Sequence, residues 1–129
     1  MKPRFAMLLI VFSVLLLSSC GKGHPVLDVN NAIIPAGLSE AKIKNSIILA
    51  GTDLGWKFRE LKEGALEGQL NVRKHEAVIL VEYDISKYSI QYISSQNLNF
   101  KEGRIHRNYN NWIKRLQTKI DRELIRASL

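Results

Sequence analysis

A single cysteine, Cys20, is all the thiol chemistry the chain holds, so no disulfide within it can staple the fold. No apolar run approaches the roughly 20 residues that cross a bilayer as a helix. The longest, Phe5 to Leu17, is short and is interrupted by Ser13. Acidic residues are in deficit, 12 against 19 Lys and Arg, which leaves a formal charge of +7. Internal repeats and low-complexity blocks are missing, which excludes a solenoid or a disordered array.

Catalytic signatures are missing as well. No serine sits in a Gly-x-Ser-x-Gly elbow, and no phosphate-cradling glycine motif occurs. The three histidines, His24, His75 and His106, are scattered, whereas a zinc site needs three or four ligands at recognisable spacing. His75-Glu76 supplies two ligands at most and reads better as a hairpin turn. The carboxylates Glu60 and Glu63 flank a turn with no apolar pocket in view. We therefore expect no metal, no cofactor and no enzymatic activity.

The first residues are of a different kind. Lys2 and Arg4 form a basic start, Phe5 to Leu17 an apolar run, and Ser18-Ser19 a small-residue exit, which is the layout of an export signal. Leu17-Ser18-Ser19-Cys20 resembles the lipobox of bacterial lipoproteins. That resemblance implies a diacylglycerol on the Cys20 thiol, cleavage before Cys20, and acylation of the new amine. Several acyl chains bind a membrane stably where one binds only marginally, because each buried methylene contributes about 0.8 kcal/mol. Gly21 follows the cysteine in place of the Asp that resembles an inner-membrane retention signal. In a Gram-negative host, the resemblance therefore implies the periplasmic face of the outer membrane.

Cleavage would remove both signal cations and leave seventeen basic against twelve acidic residues, a charge of +5 on 110 residues. That is the length of one small domain. We expect residues 1–19 to be the signal, 20–37 the lipidated cysteine with a flexible tether, and 38–129 one domain. The tether reading rests on Gly21, Gly23, Pro25, Pro35 and Gly37, with Asn30-Asn31 between short apolar pieces. Fully stretched, it would reach at most about 60 Å. Docking of Val26-Leu27 and Ile33-Ile34 on the domain is the second arrangement open to it.

Within the domain, Ser39 is a good cap for a helix over residues 39–53, whose Ile43, Ile47, Ala50 and Leu54 recur at helical spacing. Alternation then predicts strands around Trp56 to Arg59, Leu66 to Val72, Ala77 to Tyr83 and Tyr88 to Tyr92. Turns fall at Glu63-Gly64 and at Asp84 to Lys87. A loop, Ser94 to Asn99, leads to a helix over residues 105–126 with Tyr109, Trp112, Ile113, Leu116, Ile120 and Leu124 on one face. Two apolar helix stripes need a sheet face to cover. The expected fold is α+β and two-layered: a helix, a four-stranded antiparallel meander and a helix, with both helices on one sheet face. Trp56, Phe58, Leu70, Val72, Ile79, Val81, Ile90 and Tyr92 would face the helices, leaving Val78 and Leu80 as an apolar pair on the outer face.

Residues 55–120, with their spaced Tyr, Ser, Asn, His and Trp from Tyr88-Ser89-Ile90-Gln91-Tyr92 through Asn108-Tyr109-Asn110-Asn111-Trp112, resemble small proteobacterial lipoproteins. The resemblance bears on fold and implies no activity. One further pattern has functional content. Arg115, Lys119, Arg122 and Arg126 fall at i, i+4, i+7 and i+11, and residues 101–129 alone account for the +5. Such a stripe is either a solvated face or a site for anionic lipid, lipopolysaccharide phosphates or an acidic partner. Nucleic acid is not an expected partner. The expected role is non-enzymatic binding or support at the envelope, through the acyl chains on Cys20 and an anionic component or protein partner, for which Val78 and Leu80 offer a second patch. An envelope hydrolase is the enzyme-class alternative, and an inhibitor of a lytic enzyme is another. The latter is disfavoured because lysozymes are commonly basic and would repel a +5 domain.

Overall fold

The structure, a computed structural model, describes residues 23–129, so the signal segment and Cys20 lie outside the described residues. The chain runs β1 (His24–Pro25), β2 (Val29–Ile33), α1 (Glu40–Asp53), β3 (Lys57–Lys62), β4 (Ala65–Val72), β5 (His75–Tyr83), β6 (Lys87–Gln96), β7 (Arg104–Ile105) and α2 (Arg107–Ser128). The main sheet is antiparallel in the order β2-β6-β5-β4-β3, and β1 pairs with β7 in a separate two-stranded ribbon.

The meander from β3 to β6 follows from alternation and short turns. Val81 pairs with Leu66 on one side and Ile90 on the other, all three fully buried, while their sequence neighbours Glu67, Leu80 and Gln91 line the opposite face. The Asp84 carboxylate closes the β5–β6 turn, accepting from the backbone amides of Ser86 and Lys87 at 2.7 and 2.8 Å. Those bonds favour the charged form and hold the carboxyl below its usual range. Ser39 caps α1 by accepting from the Lys42 amide, as its sequence position suggests.

Both helices close one apolar layer. Ile43, Ile47 and Ala50 of α1 and Tyr109, Ile113, Leu116, Ile120 and Leu124 of α2 join Leu66, Leu70, Ala77, Ile79, Val81, Tyr88 and Ile90 in a single core. Gly51 reads in sequence as a weak point of α1, but it has a packing role. A methyl group there would collide with the Phe58 ring, and one on Gly68 would meet that ring and Ile79 at 3.0 Å. Phe58 thus fills space that two glycines leave open and docks α1 on β3 and β4. Among the described residues, no helix is long and apolar enough to cross a membrane.

Three expectations need correction. The tether over residues 20–37 is, from His24 onward, part of the fold, in line with the docking arrangement. Val29 and Ile34 are buried, β2 adds a fifth strand beside β6, and the Asn110 side chain clasps the segment, accepting from the Leu27 amide and donating to the Pro25 carbonyl, both at 2.9 Å. Pro25 and Pro35 punctuate it without freeing it. Secondly, Ser94 to Gln96 continue β6 instead of opening a loop, with Ser94 opposite Val78 and Ser95 opposite Ala77 after a bulge at Ile93. Thirdly, α2 begins two residues late, because Arg104 and Ile105 pair with β1 and His106 serves as its cap.

The outer edges of the sheet resist further pairing. On β2, Asn31 takes φ 55° within a register shift. On β3, Lys57, Arg59, Glu60 and Lys62 are exposed around another shift. Bulges and charges of this kind discourage edge-to-edge association.

If β1 and β2 belong to the domain, its boundary is testable. A fragment of residues 38–129 loses Val29 and Ile34 from the core, and each such side chain contributes about 1.5–3 kcal/mol. We expect it to be at least ~3 kcal/mol less stable than a fragment of residues 23–129 in urea denaturation. Equal midpoints would return residues 23–37 to the status of a tether.

Candidate anion-binding site

Helix α2 buries one face and displays cations beside it. Of the expected stripe, Arg115, Lys119 and Arg122 line a groove of about 440 Å³ against the C-terminal end of α1, together with Lys114, Thr118, Asp53 and Leu54. Lys114 joins the site although the i, i+4, i+7 pattern passes it by, while Arg126 does not line the groove.

The four cations of the stripe are not equivalent. Glu123, buried on α2, gathers two of them: Arg126 Nη1 lies 3.0 Å and Lys119 Nζ 3.9 Å from its Oε1. Lys119 also reaches Asp53 Oδ2 at 3.4 Å, tying α2 to the end of α1. Lys119 and Arg126 therefore neutralise a carboxylate that would otherwise be costly to bury. Among the described residues, Lys114, Arg115 and Arg122 have no carboxylate within 4.0 Å. These three unpaired cations set the sign of the groove, because Asp53 is its one acidic lining residue. Arginine forks and a lysine ammonium suit phosphate or carboxylate oxygens. Thr118, the hydroxyl in the groove, donates to the Lys114 carbonyl at 2.9 Å and is not paired with a base.

Beside the groove opens a smaller apolar slot of about 200 Å³, lined by Leu54, Trp56, Leu70, Val72, Trp112 and Arg115. Leu54 and Arg115 line both spaces. The slot exists because α1 ends at Asp53. The chain turns through Gly55, at φ 93°, and the Trp56 amide donates back to the Gly51 carbonyl at 2.9 Å. Trp56 is thereby buried beneath the helix end, while Trp112 covers the slot from α2. Trp112 was expected in the core; it is partly buried, packed against the core and open along the slot.

The other candidates separate. His75 and Glu76 point to opposite faces as strand neighbours must. His75 Nδ1 donates to the Asn97 carbonyl at 2.7 Å, and Glu76 accepts from Gln69 at 3.1 Å. His75 and His106 stack with ring centroids 6.4 Å apart, and His106 Nδ1 is occupied by the Asn108 amide. Among the described residues no three His, Cys, Asp or Glu side chains are grouped to hold a metal ion. Glu60 accepts from Lys44 at 2.8 Å, whereas Glu63 lies by Glu40, whose pKa it raises by a shared hydrogen bond and by like charge. Val78 and Leu80 are half-buried on the outer face, opposite Gln69 and Ser94, and Glu67 and Gln91, respectively.

The stripe was legible from helical periodicity, and the slot was not. Its residues come from α1's end, the turn into β3, β4 and α2, and all but Arg115 read singly as core. Comparison of the chain with family models, curated proteins and solved structures gave no match.

Because Trp112 is partly buried, its replacement by Ala should cost about 2–3 kcal/mol, below the ~3–5 kcal/mol of a fully enclosed Trp. Thermal melting should show a fall on the order of 10 °C or more. An unchanged melting temperature would show that the indole does not pack on the core.

Proposed function

We propose that the chain is a lipoprotein of the bacterial envelope, lipidated on Cys20, whose domain is a non-catalytic binding module for an anionic envelope component. The observation that carries the reading is the groove between α1 and α2, where Lys114, Arg115 and Arg122 stand unpaired with Lys119 at their side. Two features support the membrane setting. Leu17-Ser18-Ser19-Cys20 has the lipobox pattern, and Gly21 after it favours the periplasmic face of the outer membrane in a Gram-negative host.

The second feature is the short reach of the anchor. Strand β1 begins at His24, so a lipidated Cys20 lies within at most roughly 14 Å of the folded domain, four residues of extended chain. A domain held that close meets headgroups at high local concentration, where each basic residue near an anionic surface contributes about 1 kcal/mol. Val78 and Leu80 stay in this reading as a subsidiary patch for a protein partner.

Two experiments test it. Cys20→Ala should abolish incorporation of a labelled fatty acid and leave an uncleaved precursor; label retained on the variant would remove the lipoprotein assignment. For the groove, neutral phosphatidylcholine vesicles carrying the full chain should co-sediment with phosphatidylglycerol vesicles at low salt. Arg115→Glu with Arg122→Glu should weaken that association at least tenfold, and ~0.5 M salt should do likewise, since screening shortens the reach of exposed charge. Equal association by both proteins at low salt would make the basic face a solvated surface.

A further inference from the structure

Groove and slot adjoin at Leu54 and Arg115, and their chemistries differ in a way that specifies one kind of ligand. We infer that they form a single site for an anionic amphiphile, with its acidic head among Lys114, Arg115 and Arg122 and its apolar group in the slot between Trp56 and Trp112. This rests on the anion-binding reading and goes further by naming a discrete, monomeric ligand.

Three observations carry the inference. Leu54 and Arg115 belong to both linings, so the charged and the apolar space adjoin at those two side chains. Arg115 suits such a junction, because its aliphatic stem can lie along apolar surface while the guanidinium stays at the groove. Five of the six slot residues, Leu54, Trp56, Leu70, Val72 and Trp112, are apolar or aromatic, and a space so lined is poorly satisfied by water, which needs polar partners. A dry apolar cavity of ~150 Å³ already admits a benzene-sized molecule. The slot of about 200 Å³ therefore takes a short alkyl segment or one ring, and not a pair of acyl chains. The adjoining 440 Å³ leaves room for a phosphate or carboxylate with its hydration. Charge complementarity selects the head, and the volume of the slot limits the tail. A flat membrane surface would use the cations and leave the slot empty.

The chain's own fluorescence reports occupancy, because Trp56 and Trp112 are its two tryptophans and both line the slot. The full chain in neutral phosphatidylcholine vesicles would be titrated with inorganic phosphate and with butyl, hexyl and octyl phosphate. An alkyl glucoside of matching chain length serves as the uncharged probe, with protein-free vesicles correcting for partitioning. The expected result is a blue shift of emission with the alkyl phosphates. Affinity should rise about fourfold per methylene, equivalent to about 0.8 kcal/mol, until the slot is full. Arg115→Glu with Arg122→Glu should abolish binding. Val72→Phe, which fills the slot, should remove the chain-length dependence while phosphatidylglycerol association persists. Should Val72→Phe fail to fold, the chain-length series on the unaltered protein gives the same decision. Equal affinity for inorganic and alkyl phosphates, or for the glucoside and the phosphates, would overturn the amphiphile and leave the anionic surface standing. So would binding of phosphatidylglycerol vesicles with no response to any alkyl phosphate. Loss of vesicle association itself would instead sink the anion-binding reading beneath it.

Discussion

The molecule depends on one apolar layer between two helices and a single face of its sheet. No disulfide is available to share the load, since Cys20 has no partner within the chain. Small domains without such staples live on a narrow margin between burial and chain entropy. That margin explains why the N-terminal segment is recruited. Val29 and Ile34 extend the layer past β6, and Asn110 fastens the segment to α2 with two hydrogen bonds to backbone. A stretch rich in glycine and proline becomes structural because the core needs its apolar side chains.

The same layer sets where polar groups can be accommodated. Tyr88 enters the core and its hydroxyl donates to Asp121 on α2, with burial the main cause of its raised pKa and the Asp121 hydrogen bond adding to it. Glu123 is buried at the helix surface only because Lys119 and Arg126 attend it. Removing either partner from a buried charge costs more than the pair contributes net. The cations of α2 therefore divide into paired and unpaired sets. Lys119 and Arg126 maintain packing, and Lys114, Arg115 and Arg122 are left without a carboxylate partner among the described residues. A stripe that looks uniform along the helix is divided by the placement of two carboxylates, Glu123 and Asp53.

Packing also leaves an apolar opening beside those free cations. Helix α1 stops at Asp53 because the chain must turn down through Gly55 to start β3, and the opening under its end is the slot. Phe58 fills the comparable space one turn earlier, against Gly51 and Gly68. The contrast is local. Where two glycines admit a ring the core is closed, and where Leu54 and Trp112 meet across the helix end it stays open.

Much of this architecture was written in local pattern. Period-two alternation in Leu66 to Val72, Ala77 to Tyr83 and Tyr88 to Tyr92, the Ser39 cap, the Asp84 turn and the apolar stripe of α2 each act over a few residues, so their geometry follows from sequence alone. The basic stripe on α2 was legible for the same reason. Tertiary structure decided the remainder. Whether Val29 to Ile33 floats or pairs depends on β6 having a free edge and on Asn110 reaching back 83 and 85 positions along the chain. Which cations stay unpaired depends on Glu123 and Asp53 lying within reach of Lys119. The slot needs α1, β4 and α2 to converge. Contacts between distant residues are set by how the elements pack, and no periodicity within one element records them.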